Sequence, residues 1–148
     1  MKNPAFLSLL FIVSAGIFAG CATTSMMSFV MSQEEKDYLD KANNQPVSFS
    51  LSKNEEKEAW SRAQRFVSTY SPGPVAVVTD VIIQTNTSRT YDYNYVVNKS
   101  ESGDSVGISV KCNYFNIMNK GDADQNAHIL AYYMKTGDWP PKDRLVRR

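Results

Sequence analysis

Ser52-Lys53-Asn54-Glu55-Glu56-Lys57-Glu58-Ala59-Trp60-Ser61-Arg62-Ala63-Gln64-Arg65-Phe66-Val67-Ser68-Thr69-Tyr70 is an amphipathic helix written out in full. Ala59, Trp60, Ala63, Phe66, Val67 and Tyr70 recur at spacings of three and four, so they line one stripe of a helix with 3.6 residues per turn. Glu55, Glu56, Lys57, Arg62 and Arg65 fall mostly elsewhere. Ser52 and Glu55 have the spacing of a capping box, in which the first helical N–H groups find side-chain acceptors. Glu58 and Arg62 stand in the favourable order for an (i, i+4) ion pair. Ser71-Pro72-Gly73-Pro74 ends the helix, because proline has no N–H to continue it.

A helix with one apolar stripe needs a surface to lie on, and the flanking sequence supplies strands. Val47, Phe49 and Leu51 alternate with Ser48 and Ser50, as in a short strand or extended lead-in. Val75 to Thr85 is rich in β-branched residues. It reads as one strand, with Val75, Val77, Val81 and Ile83 on one face and Ala76, Val78 and Ile82 on the other. Asp80 interrupts it, and either marks where that strand meets water or lines a polar groove. After a turn at residues 86–90, Tyr91, Tyr93, Tyr95 and Val97 alternate with Asp92, Asn94, Val96 and Asn98. Val106, Ile108, Val110, Cys112 and Tyr114 then alternate with Ser105, Gly107, Ser109, Lys111 and Asn113, a half-buried strand pattern. Asp122, with Gln125 three residues on, is expected to cap a further helix that buries Ala127, Leu130, Ala131 and Met134 and ends at Gly137. These elements predict an α+β fold. A long amphipathic helix packs on a three- to four-stranded antiparallel meander, with a second helix at the C-terminal end. The outline is similar to cystatin-like folds, without a motif of that family.

The N-terminal stretch has a different character. Lys2 is followed by an apolar run from Ala5 to Phe18, shorter than the roughly 20 residues that span a bilayer and suited to a cleaved signal peptide. The run closes on Phe18-Ala19-Gly20-Cys21. This resembles the lipobox of bacterial lipoproteins, where signal peptidase II cuts before a cysteine that carries a diacylglycerol. Phe18 stands where the commonest form has leucine. The resemblance implies that residues 1–20 are removed and that Cys21 is the lipid attachment site. Several acyl chains hold a protein stably where one holds it marginally. Ala22, where aspartate tends to retain lipoproteins at the inner membrane, implies an outer-membrane anchor with the domain facing the periplasm. Residues 21–45 then read as a lipidated tether with a short helix at Gln33 to Ala42. Residues 46–141 form a single domain and 142–148 a basic tail.

Removing Lys2 leaves 15 basic against 15 acidic side chains, a balance that argues against binding nucleic acid through phosphate neutralisation. With Cys21 committed to lipid, Cys112 has no disulfide partner, so packing alone must hold the domain. Few residues suggest chemistry. Cys112 belongs to the apolar face of its strand. His128, the one histidine, lies at (i, i+4) from Asp124. The two have the residue types of a nucleophile and its base, without an oxyanion-hole motif. Asp80 and His128 are the candidate binding residues. No cofactor is expected, and one histidine with one cysteine is too few for zinc. The leading expectation is a non-enzymatic binding domain tethered to the outer membrane, with the membrane and an envelope protein as partners. A small hydrolase or transferase using Cys112 and His128 is one alternative, and an inhibitor or immunity-type lipoprotein is another.

Overall fold

The computed structural model describes residues 31–86, 93–115 and 117–147. The signal segment, Cys21, the first part of the expected tether and Tyr91 lie outside the described residues. Residues from Met31 onward form one folded unit. Its elements run α1 (Gln33–Asn44), β1 (Ser48–Ser52), α2 (Lys53–Tyr70), β2 (Val75–Val78), β3 (Ile82–Thr85), β4 (Tyr93–Ser102), β5 (Ser105–Tyr114) and α3 (Lys120–Thr136). The expected α+β class holds, with one strand more than the meander predicted. Among the described residues, no helix is long and apolar enough to cross a membrane.

The sheet has the order β1-β5-β4-β3-β2 and is antiparallel throughout. Val75 to Thr85 is a hairpin rather than a single strand. Thr79 Oγ1 accepts from the N–H groups of Val81 and Ile82, at 3.2 and 3.1 Å, and so folds the backbone back. Asp80 sits in this turn, exposed to solvent. Its place in an apolar run is explained by the reversal of the chain, which brings β2 alongside β3.

Helices cover one sheet face. Ile83, Tyr95, Val97, Val106, Ile108 and Val110 are buried there, following the alternation read in the sequence. The α2 stripe of Ala59, Trp60, Ala63, Phe66, Val67 and Tyr70 is buried too, and at Ser52 the backbone N–H donates to Glu55 at 3.0 Å. Phe66 is the hub of an aromatic cluster, with ring centroids of Tyr70 at 4.8 Å, Tyr95 at 5.8 Å and Trp139 at 6.1 Å. Lys99, also on this face, keeps its stem in the protein. Its ammonium pairs with Glu56 and lies 5.3 Å from the centre of the Trp60 ring, as a snorkelling cation should.

α3 runs between α1 and α2 and packs on β5. It buries Ala127, Leu130, Ala131 and Met134 as expected. Its start differs from expectation. The N-cap is Asn119, so Asp122 and Gln125 fall inside the helix and serve tertiary contacts instead. Tyr93 donates to Asp122 at 3.3 Å, and Gln125 donates to the carbonyl of Leu145 at 2.8 Å. Gly137 ends the helix with φ +84°, a conformation that disfavours a Cβ. Beside it, Arg62 donates to the Met134 carbonyl at 3.0 Å and pairs with Glu58. A cation at the negative end of the α3 dipole is stabilising.

Two segments expected to stand free are folded in. Residues 33–44 form a helix that packs on α3 through Tyr38 and Ala42, so this part of the expected tether belongs to the domain. Ser32 and Glu35 close a reciprocal capping box, with Ser32 N–H to Glu35 Oε2 at 2.7 Å and Glu35 N–H to Ser32 Oγ at 3.2 Å. The basic tail is not a solvated end either. Leu145 and Val146 are buried, and Asn126 holds Arg147 by two hydrogen bonds of 2.9 Å. Arg144 reaches Glu35 of α1. The apolar pair Leu145-Val146 inside a basic sequence drives this docking, because burying two aliphatic side chains outweighs the cost of ordering a short terminus.

Candidate functional site

Gly137 turns the chain out of α3, and Asp138-Trp139-Pro140-Pro141 follows. Trp139 stacks on Tyr70 at 5.2 Å and meets Tyr133 edge-on at 4.8 Å, which fixes the turn against the aromatic cluster. α1 lies antiparallel to α3, since its end at Gln45 meets His128 while Tyr38 meets Tyr132 and Asp138. The start of α1 therefore faces the turn after α3. Between them runs a groove of about 480 Å³.

Glu34, Asp37, Tyr38 and Lys41 line it from α1, on one face because their spacing is that of successive helical turns. Tyr132, Asp138, Trp139 and Pro141 form the other wall. Tyr38 and Tyr132 meet edge-to-face, with centroids 5.4 Å apart. Both hydroxyls are directed at Asp138: Tyr38 donates to its carbonyl at 3.2 Å and Tyr132 to its Oδ2 at 2.9 Å. Burial, reinforced by Tyr132, Tyr70 and Asp138 nearby, pushes the Tyr38 hydroxyl well above the ordinary tyrosine range. Burial and the bond to Asp138 also raise the Tyr132 hydroxyl from its ordinary value. Both rings stay neutral and keep donating. Among the described residues, the groove thus has three carboxylates and one ammonium beside Tyr38, Tyr132 and Trp139.

Cys112 and His128 line a second groove of about 310 Å³, together with Val47, Lys111 and Asp124. The structure brings them to the same place without making them a pair. His128 Nδ1 is 2.8 Å from the Gln45 carbonyl. A carbonyl only accepts, so Nδ1 carries the proton and the ring fastens α1 to α3. Cys112 is 9% exposed, and burial pushes its thiol up to about 12, against a smaller opposing effect of hydrogen bonds involving Asn126 and Tyr95. A thiol so placed holds little thiolate at neutral pH. Asp124 pairs with Lys120 at 2.5 Å rather than orienting His128. Among the described residues, no group of three or more His, Cys, Asp or Glu could hold a metal ion.

Asp80 lies in the exposed β2–β3 turn and lines neither groove. The uncovered sheet face carries small polar residues in rows, Ser48 beside Ser109 and Asn98, then Ser50 beside Gly107 and Ser100. A shallow depression of about 380 Å³ lies over them.

The acidic groove escaped sequence reasoning because its walls are about a hundred residues apart in the chain. The available signal was Asp138-Trp139-Pro140-Pro141, a large aromatic held between an acid and two prolines in a loop. Compared with protein-family models, curated proteins and solved structures, the chain matches none.

Proposed function

We propose that this protein is an outer-membrane lipoprotein whose domain faces the periplasm and binds another component of the envelope without catalysing a reaction. The observation that carries the anchor is Phe18-Ala19-Gly20-Cys21 after a short apolar run. Ala22 supports the outer membrane. The helix α1 begins twelve positions after Cys21, so an extended chain of that length reaches at most about 43 Å. A domain held within that distance of its membrane suits a binding role at short range. The α1–Asp138 groove, whose lining includes Tyr132 and Trp139, supports binding as the domain's task.

Growth with an alkyne-tagged fatty acid tests the anchor. Wild-type protein is expected to take up label and fractionate with the outer membrane. Cys21→Ser should lose the label and accumulate as longer precursor. Normal labelling of Cys21→Ser would overturn the reading.

The second reading, a small hydrolase or transferase using Cys112 and His128, is favoured by their shared groove. It requires an accessible, ionisable thiol. The rate at which a maleimide labels Cys112 in the native protein decides against it or for it.

A further inference from the structure

We infer that Phe115, Ile117 and Met118, where β5 passes into α3, insert into the surface of the bilayer that holds Cys21. The inference rests on the lipoprotein reading above and adds a second membrane contact, made by the folded domain itself.

Exposure singles out this turn. Ile117 is 79% exposed, Met118 86% and Phe115 44%. Ile117 and Met118 belong to one 3₁₀ turn, Ile117–Asn119, which holds both side chains out from the domain. Such a turn gains from any apolar surroundings it can reach, because burial removes its surface from water. A protein partner would have little to hold. At roughly 200 Å² each, the three side chains offer at most about 600 Å², and a stable protein interface takes about 800 Å² a side. A bilayer needs no complementary shape and accepts a protruding apolar element. The base of the turn suits a headgroup layer. Tyr114 is half-buried and Lys120 exposed, an amphipathic ring and a long cationic stem. The acids at the start of α3 are matched, Asp124 by Lys120 and Asp122 by Arg147, which weakens their repulsion of lipid phosphates.

The anchor supplies the occupant. Met118 adjoins the start of α3, whereas the start of α1 faces the turn after α3. The two points are therefore about one length of α3 apart, which is 17 residues or about 25 Å. The chain from Cys21 to α1 reaches at most about 43 Å, enough for the anchor and the turn to share one bilayer. Tethering makes insertion an intramolecular step at high effective concentration, so a contact too small to recruit a free protein still forms. Held at both points, the domain lies on the membrane rather than standing off it.

The test is nitroxide quenching of the full chain, purified from cells in non-ionic detergent and reconstituted into vesicles of phosphatidylethanolamine and phosphatidylglycerol. Met118→Cys carries a nitrobenzoxadiazole probe, and Val81→Cys with the same probe is the control. Val81 is 56% exposed in the β2–β3 turn. Its carbonyl accepts from the Lys99 N–H at 2.8 Å, away from the end of β4 where Tyr93 pairs with Tyr114. Native Cys112 is buried and stays unlabelled. Lipid bearing a nitroxide on its acyl chain should quench most of the emission at position 118 and little at 81. Phe115→Ser with Ile117→Ser, in the Met118→Cys background, should lose most of that quenching. Equal quenching at the two positions, none at either, or no loss in the double variant would overturn the inference. So would a blue shift at 118 that grows with protein density without nitroxide quenching, which would assign the turn to a second copy. Flotation separates this inference from the anchor. Protein that floats with the vesicles without quenching at 118 overturns this inference alone, while unacylated protein that does not float overturns the anchor and this inference with it.

Discussion

Arg144 donates from Nε and Nη2 to the two carboxylate oxygens of Glu35, at 2.9 and 2.8 Å, across 109 positions of sequence. The same carboxylate accepts from the Ser32 N–H. One buried side chain therefore caps the first helix and holds the last turn of the chain against it. The Ser32 backbone and then Arg144 keep the Glu35 carboxyl below the usual glutamate range.

A depressed native pKa gives stability that is present above the unfolded pKa and lost as pH falls through the native one. Acid titration of wild type should therefore release α1 as Glu35 protonates, below the ordinary glutamate range. Glu35→Gln should flatten that part of the profile and lower stability at neutral pH. Circular dichroism against pH checks it. An unchanged acid limb in Glu35→Gln would sink the assignment.

Arg144→Ala should loosen α1 ahead of the sheet. Amide hydrogen exchange is expected to speed up across Gln33–Asn44 while Val106, Ile108 and Val110 keep wild-type protection. Uniform acceleration through the sheet would mean that α1 and the strap are not separable from the rest of the unit.

Gly137→Ala places a Cβ at φ +84°, 2.9 Å from Arg62 Nη2. The left-handed conformation alone costs about 1–2 kcal/mol. Displacing Arg62 also strains its bond to the Met134 carbonyl. Urea unfolding should show the loss, and the penalty should shrink in an Arg62→Ala background, where the clash is relieved. Equal penalties in both backgrounds would remove Arg62 from the account.

Phe66 is 0% exposed at the centre of the aromatic cluster. Phe66→Ala should cost about 3–5 kcal/mol, the transfer loss plus a cavity. Trp139, packed against Phe66, should gain solvent exposure and a red-shifted emission. A loss under about 1 kcal/mol would show that the cluster collapses to fill the space.

Cys112 should resist a neutral maleimide at pH 8 in the native protein and react quickly in urea, where its pKa returns to about 8.5. One slow thiol per chain is the expected count with Cys21 acylated. Fast native labelling would favour the hydrolase reading, and a second fast thiol would argue against acylation.

How far the fold could be read from the sequence follows from the range of the interactions. α2 was legible from end to end because its signals are local: Ser52 and Glu55 at the start, the stripe from Ala59 to Tyr70, and prolines after it. β5 was legible through strict alternation. The β2–β3 hairpin was not. Its turn is Thr79-Asp80-Val81, without glycine, asparagine or proline, and it closes through one threonine hydroxyl. α1 was visible as a helix but not as part of the domain. Tyr38 and Leu39 are its only large apolar residues, and its ties to Arg144 and His128 leave no mark within a local window. The candidate residues fared according to the same rule. The period of β5 put Cys112 on the buried face, whereas the Gln45 carbonyl that occupies His128 comes from another helix. The acidic groove joins residues from both ends of the folded unit, which no periodicity could bring together.

The clasp between Glu35 and Arg144 also fixes an order of events. Ribosomes and export channels deliver a chain from its N-terminus, so the first helix is available long before the residues that fasten it. Arg144, Leu145 and Val146 emerge more than a hundred residues after it. Until they do, α1 lacks its charge partner and the pocket for Leu145 and Val146 stands empty. The nascent domain is thus unfinished until these three residues arrive.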